Sequence, residues 1–244
     1  MPPYFYFLFY LNIKMERYNR QIMLPEIGEN GQKKLKNAKV LIVGIGGLGS
    51  SITLYLTGAG VGNIGLIDDD VVSESNLQRQ ILYSETEIGM PKAIQAQKRL
   101  NALNSQIIIE AYNTRLTKDN AEKIIGKYDI VVDGCDNFNT RYIINDTCVK
   151  LGKTYVYGAI RAFYGQVSTF NYHGGKTYRD LFPDEEEMLS MPAPPKGVIG
   201  VTPGIVGCVQ ANEVIKIICG FGEILSGKLW YIDLKNLQTN TILL

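Results

Sequence analysis

The stretch VLIVGIGGLGSS, Val40–Ser51, constrains this chain more than any other. A run of β-favouring apolar residues enters a glycine turn and leaves it with helical spacing, so it predicts a buried strand, a tight loop and a helix. Gly44, Gly46 and Gly49 satisfy the G-x-G-x-x-G spacing, with Gly47 inside the same loop. Such glycines permit a sharp turn, close approach of the backbone to a ligand and close packing of the helix. The N–H groups at the helix start are then available to a phosphate. The spacing alone suits a dinucleotide pyrophosphate and the phosphates of ATP equally.

Beyond this loop the chain alternates between strand and helix patterns: NIGLIDDD, PKAIQAQKRLNALN, QIIIEAYN, DNAEKIIGKY, DIVVDGCDN and NTRYIINDTCVKLG. This alternation predicts a Rossmann-like, doubly wound α/β fold with a mostly parallel sheet. After Gly152 the pattern changes. KTYVYGAIRAFYGQVSTFNYH reads as two strands joined by a turn, and KLWYIDLKNLQTNTILL as a closing hairpin, so the C-terminal end of the sheet is expected to be antiparallel. Between them lie a proline-rich segment near 183–196, read as a mobile crossover loop, and a helix bounded by Pro203 and Gly220. Residues 15–244 read as a single domain, and the aromatic stretch within 1–14 as an N-terminal extension.

Formal net charge is +1, which gives no general electrostatic affinity for nucleic acid or anionic lipid. The apolar run Tyr4–Ile13 is too short to span a bilayer as a helix and lacks the marks of a signal peptide. Four cysteines, Cys135, Cys148, Cys208 and Cys219, form no C-x-x-C pair, as expected of reduced thiols in a cytoplasmic protein.

The residues after the second strand favour a triphosphate. An acid that binds ribose belongs about 20 residues past the glycine loop, and Asp68 and Asp70 stand there. Asn76, Arg79 and Gln80 come next, and Lys92 opens the next helix. Two cations and amides beside a glycine loop match the charge of a triphosphate. At the end of the fourth strand, Asp133 and Asp136 reach the carboxyl edge of the sheet. Asp136 is the candidate Mg²⁺ ligand, since Mg²⁺ beside phosphates needs few protein groups; it could equally cap the helix after it. Asp133 is expected to bond backbone groups under the loop.

The ordered stretches RYNRQ (Arg17–Gln21), GIGGLG (Gly44–Gly49), DDD (Asp68–Asp70), SNLQRQ (Ser75–Gln80), MPK (Met90–Lys92), DGCDN (Asp133–Asn137) and QANEVIK (Gln210–Lys216) together resemble the ThiF/MoeB/HesA family, bacterial relatives of the ubiquitin-activating enzymes. The resemblance implies an ATP- and Mg²⁺-dependent adenylyltransferase. Its substrate would be the C-terminal glycine carboxylate of a small β-grasp sulfur carrier ending in Gly-Gly, in a thiamin or molybdopterin pathway. It places Gly47 under the phosphates and Asp68 on the ribose. Ser75, Asn76, Arg79 and Lys92 would clasp the triphosphate, with Asp136 on Mg²⁺ and Asn137 beside it. Arg20 would reach into the active site of the other subunit of a homodimer.

The chemistry agrees. A terminal carboxylate is ionised at neutral pH and needs no general base. The alternative, an NAD(P)-dependent oxidoreductase, explains the glycine loop and Asp68 but leaves Arg20, Arg79, Lys92 and Asp136 without a task. It would also want a base, and the single histidine, His173, reads as a surface residue at a hairpin tip. Two departures from the family stand out. The first of its two zinc-binding C-x-x-C pairs would fall where this chain has Thr177 and Asp180, and the second is missing, so zinc is not expected. The crossover loop also has no cysteine for covalent chemistry.

Overall fold

A computed structural model describes residues 16–192 and 197–244. The expectations for the extension, residues 1–14, and for residues 193–196 of the crossover segment lie outside the described residues.

The strands are β1 (Lys39–Val43), β2 (Asn63–Ile67), β3 (Ile108–Tyr112), β4 (Ile130–Asp133), β5 (Thr154–Arg161), β6 (Tyr164–Phe170), β7 (Lys228–Asp233) and β8 (Gln238–Leu243). They form one sheet in the order β3-β2-β1-β4-β5-β6-β7-β8. Pairing is parallel from β3 across to β5 and antiparallel from β5 to β8. The expected change of pattern after Gly152 is therefore a change of strand direction within one sheet.

Helices cover both faces: α1 (16–22), α2 (Gly28–Asn37), α3 (Gly47–Ala59), α4 (Lys92–Leu103), α5 (Lys118–Ile125), α6 (Phe138–Leu151), α7 (Tyr178–Leu181), α8 (Glu185–Ser190) and α9 (Val201–Cys219). Because side chains alternate along a strand, β1 serves two cores. Val40 and Ile42 join Leu48, Ile52 and Leu56 of α3 and Val206 and Val214 of α9 on one face. Leu41 and Val43 join Ile124 and Ile125 of α5 and Tyr142 and Ile144 of α6 on the other. Strands buried on both faces must be apolar throughout, and VLIV is. By length and composition α9 could cross a membrane; here it lies on the sheet against α3, β5 and β6.

Three local features differ from the sequence reading. The crossover segment, expected as loop, contains α8, whose first turn is capped by Asp184 accepting from the Glu187 N–H at 2.9 Å. The β5–β6 hairpin turns at Ala162 and Phe163, so His173 is not at a hairpin tip; it sits exposed in a short 3₁₀ turn after β6. Asn137, not Asp136, caps α6: its side-chain oxygen accepts from the Thr140 N–H at 2.9 Å.

Candidate active site

The sheet order reverses direction between β1 and β4, and in doubly wound sheets a crevice opens at the carboxyl ends of the strands at that point. Val43 pairs with Ile67 and with Asp133, so the loops that start at Gly44, Asp68 and Gly134 leave the sheet side by side.

The glycine loop is held from several sides. Gly44 has φ +87°, and a Cβ there would stand 2.7 Å from the carbonyl group of Gly134, so the first and fourth strand loops touch through glycine backbones. The Ile45 N–H donates to Asp68 Oδ2 at 2.7 Å, and the Ile45 carbonyl accepts from the Tyr83 hydroxyl at 2.9 Å. Gly46 precedes α3 with no side-chain cap, leaving the first N–H groups of the helix free of one. Gly47 backs onto Pro203 in the first turn of α9, where a Cβ would be 2.9 Å from the proline ring.

Asp68 also accepts from the Asp70 N–H through Oδ1 at 2.8 Å. Burial pushes its carboxyl above the ordinary carboxylate range, against the pull of the Ile45 N–H and of Lys92. Arg79 donates to the Ser75 carbonyl at 2.9 Å, which closes the turn holding Ser75 and Asn76. Lys92 is only 4% exposed at the head of α4, and its Nζ donates to Asp70 Oδ2 at 3.0 Å. Asp70 is itself largely in solvent, so among the described residues the buried ammonium is hydrogen-bonded to one exposed carboxylate and keeps spare donors.

On the β4 side, Asp136 is exposed, and with Asn137 serving as cap its carboxylate is not tied to the helix. Asp133 is fully buried and works as expected beneath the loop, accepting from the Cys135 N–H at 2.9 Å. The sequence reading missed its main partner. Arg141, one turn into α6, donates to Asp133 Oδ2 at 3.0 Å and to the Cys135 carbonyl at 3.0 Å. Tyr155 donates to the same carboxylate oxygen at 2.9 Å, and Gln210 donates to the Asp133 carbonyl at 2.7 Å. Cys135 gives its thiol proton to Asp133 at 2.9 Å, and burial pushes that thiol well up, so it is held as a neutral thiol.

Among the described residues no cluster of three metal-ligating side chains occurs. Asp136 on its own is compatible with Mg²⁺, which retains water and shares phosphate oxygens. Thr177 and Asp180 are a capping box instead: the Thr177 N–H and hydroxyl donate to Asp180 Oδ2 at 2.7 and 2.8 Å.

Arg20 stands apart from this crevice. Its helix is anchored at the far end of α3, where Gln21 donates to the Ala59 carbonyl at 2.8 Å and Asn104 donates to the Tyr18 hydroxyl at 2.8 Å. The thirteen residues of α3 span about 20 Å between that anchor and Gly47. Arg20 is exposed.

A glycine-turned nucleotide crevice on a parallel sheet, extended by three antiparallel strands, defines a nucleotide-binding α/β domain. The ThiF family model matches residues 18–244, and the chain belongs to that family. It is 47% identical to a sulfur carrier protein adenylyltransferase of Thermus thermophilus over 90% of this chain and 83% of that protein. It is 49% identical to a probable molybdopterin-synthase adenylyltransferase of Porphyra purpurea over 86% of this chain, and there it spans only 56% of the relative's length. Among solved structures, E. coli MccB with AMPCPP and MccA superposes with a TM-score of 0.79 at 26% identity, covering 93% of this chain and 70% of that one. These relatives lend no support to the oxidoreductase alternative.

Proposed function

We propose that this protein is an ATP-dependent adenylyltransferase that activates the C-terminal glycine carboxylate of a small β-grasp sulfur carrier ending in Gly-Gly. The observation that carries the reading is Lys92, a buried ammonium beside the glycine loop and the Asp68 carboxyl, whose hydrogen-bonded carboxylate, Asp70, lies in solvent. An anionic ligand between loop and lysine completes that environment. The names of the Thermus and Porphyra relatives support the same reaction class.

In this reading the free N–H groups at the start of α3 and Gly47 receive the phosphates, and Asp68, already oriented by two backbone N–H groups, takes the ribose hydroxyls. Arg79 and Lys92, with Ser75 and Asn76, neutralise the triphosphate. Asp136 and Asn137 face the same charge, where Mg²⁺ held by Asp136 would neutralise phosphate oxygens. A carboxylate oxygen of the carrier bonds to the α-phosphorus, the bond to the bridging oxygen of the β-phosphate breaks, and pyrophosphate leaves with that electron pair. The carrier's carboxylate arrives ionised, so positioning and charge neutralisation supply the catalysis.

The working unit is a homodimer in which Arg20 of one subunit serves the crevice of the other. Two features support this. Arg20 is a helix length from its own glycine loop, and the outer face formed by α3 and α9 exposes Tyr55, Val201 and Ile205. Such a face can be self-complementary about a two-fold axis.

Exchange of labelled pyrophosphate into ATP tests the reaction. It is expected only with Mg²⁺ and a Gly-Gly-ended carrier present, and it should be lost in Asp136→Ala. Exchange that persists undiminished in that variant would remove Asp136 from the site.

A further inference from the structure

Asp136, the proposed Mg²⁺ ligand, has little of its own to aim it. Its carboxylate is exposed, and its one hydrogen-bond contact among the described residues is the Asn137 amide, at 3.5 Å the outer limit of such a bond. The direction of the side chain is therefore set by the backbone that carries it, and that backbone is gripped on either side of Cys135. The Cys135 N–H donates to Asp133 Oδ1 at 2.9 Å, which fixes the peptide before it. The Cys135 carbonyl accepts from Arg141 Nη2 at 3.0 Å, which fixes the peptide that joins it to Asp136. Beyond Asp136, Asn137 is held as the cap of α6. The grip has a rigid base. Arg141 is 7% exposed, its Nε donates to Asp133 Oδ2 at 3.0 Å, and its guanidinium lies 5.4 Å from the Tyr157 ring centroid and 6.0 Å from that of Phe138. Tyr155, fully buried, donates to the same carboxylate oxygen at 2.9 Å. Pairing with Asp133 uses only one arm of the guanidinium; the other arm serves the chain that presents Asp136.

Resting on the reading of Asp136 as the Mg²⁺ ligand, we infer that Arg141 is a positioning residue for that carboxylate. It acts through the Cys135 peptide, and Tyr155 steadies the Asp133 end of the same grip. Neither side chain touches nucleotide or metal. Groups that hold a metal ligand in place are worth roughly 10–100-fold in metal affinity, so the effect is large enough to measure.

Arg141→Lys tests this, because it keeps a positive charge beside Asp133 while a single ammonium cannot supply the fork that spans Asp133 and Cys135. Tyr155→Phe removes one hydroxyl from the same grip. Leu229→Ala, a buried position in β7 three strands from β4, lowers stability without touching it. The full-length proteins are titrated with Mn²⁺ in the presence of ATP, followed by electron paramagnetic resonance, and with ATP in the absence of metal. Expected in Arg141→Lys are Mn²⁺ binding weakened about tenfold, metal-free ATP binding unchanged, and pyrophosphate exchange that needs more Mg²⁺ but approaches the natural rate at saturation. Tyr155→Phe should weaken Mn²⁺ in the same direction by less, and it decides by the same comparison if Arg141→Lys does not fold. Leu229→Ala should melt lower and bind Mn²⁺ as the natural chain does. Mn²⁺ affinity unchanged in Arg141→Lys and Tyr155→Phe while Asp136→Asn binds weakly, or an equal loss in Leu229→Ala, would overturn the inference alone. Asp136→Asn that binds Mn²⁺ as tightly as the natural chain would overturn the metal reading of Asp136, and the inference with it.

Discussion

Lys92 and Arg141 are both cations held at the carboxyl edge of the sheet, yet only one of them points to a ligand. Lys92 pairs with an exposed Asp70, whereas Arg141 spends its donors on buried Asp133 and on the Cys135 and Gly158 carbonyls. Their substitutions should separate accordingly. Arg141→Met leaves the Asp133 carboxylate buried without its cation and should cost on the order of 3–5 kcal/mol in denaturant unfolding. Lys92→Met should change unfolding far less and abolish pyrophosphate exchange. Equal unfolding losses would mean that the Lys92–Asp70 pair is structural. The positions of Asp68 and Asp136 are legible in the sequence because they lie just past the ends of β2 and β4, at the carboxyl edge of the sheet. Arg141 is not: nothing in FNTRYIIN marks it as the partner of a buried acid, and only the fold reveals the carboxylate beneath it. The cap of α6 goes to Asn137 because the carbonyl oxygen of an amide one residue nearer the helix reaches the Thr140 N–H.

Among the secondary-structure elements, α7 shows a capping box standing where the family resemblance places a metal-binding thiol pair. Thr177→Ala should lower stability by about 1 kcal/mol, the usual worth of such a cap. Chelator should leave the melting temperature unchanged, and elemental analysis should find far less than one zinc per chain; stoichiometric zinc would show a metal site instead. Hydrogen bonds from Thr177 hold the Asp180 carboxyl below its ordinary value, and Arg179 does the same for Asp146 despite partial burial. A depressed carboxyl contributes stability above its unfolded value near pH 4 and loses it as pH falls through the folded value. The difference in melting temperature between the natural chain and Thr177→Ala should therefore shrink as pH drops below about 4. A difference that widens there would contradict the assignment. Helix α8 is harder to read although its signal is present. Asp184 followed by three glutamates favours a helix start, but the proline-rich sequence after it speaks for a loop.

Across the full chain, the parallel half of the sheet is readable because each buried strand must be apolar and each crossover helix announces its period. The C-terminal glycines are readable for a similar reason: Gly152 and Gly220 end α6 and α9 in the left-handed conformation, with φ +63° and +81°. Quaternary structure leaves a weaker trace, and the shared-site dimer rests on the remoteness of Arg20. Arg20→Ala should reduce activity on the order of 10³-fold if it acts as arginine fingers do elsewhere in phosphoryl transfer. Co-expression of Arg20→Ala with Asp136→Ala chains should restore activity in mixed dimers, because one crevice then has both groups. Mixed dimers that form and stay inactive would place Arg20 in its own subunit's service.

If the α-phosphate of ATP passes to a carrier's terminal carboxylate, a label on that phosphate must travel with it. The decisive measurement incubates the protein, Mg²⁺ and a Gly-Gly-ended carrier with ATP labelled at either the α- or the γ-phosphate, and follows label onto the carrier. Transfer from the α-position alone, lost when the carrier's terminal glycine is removed, is the predicted result; label arriving from the γ-position, or none from either, would contradict it.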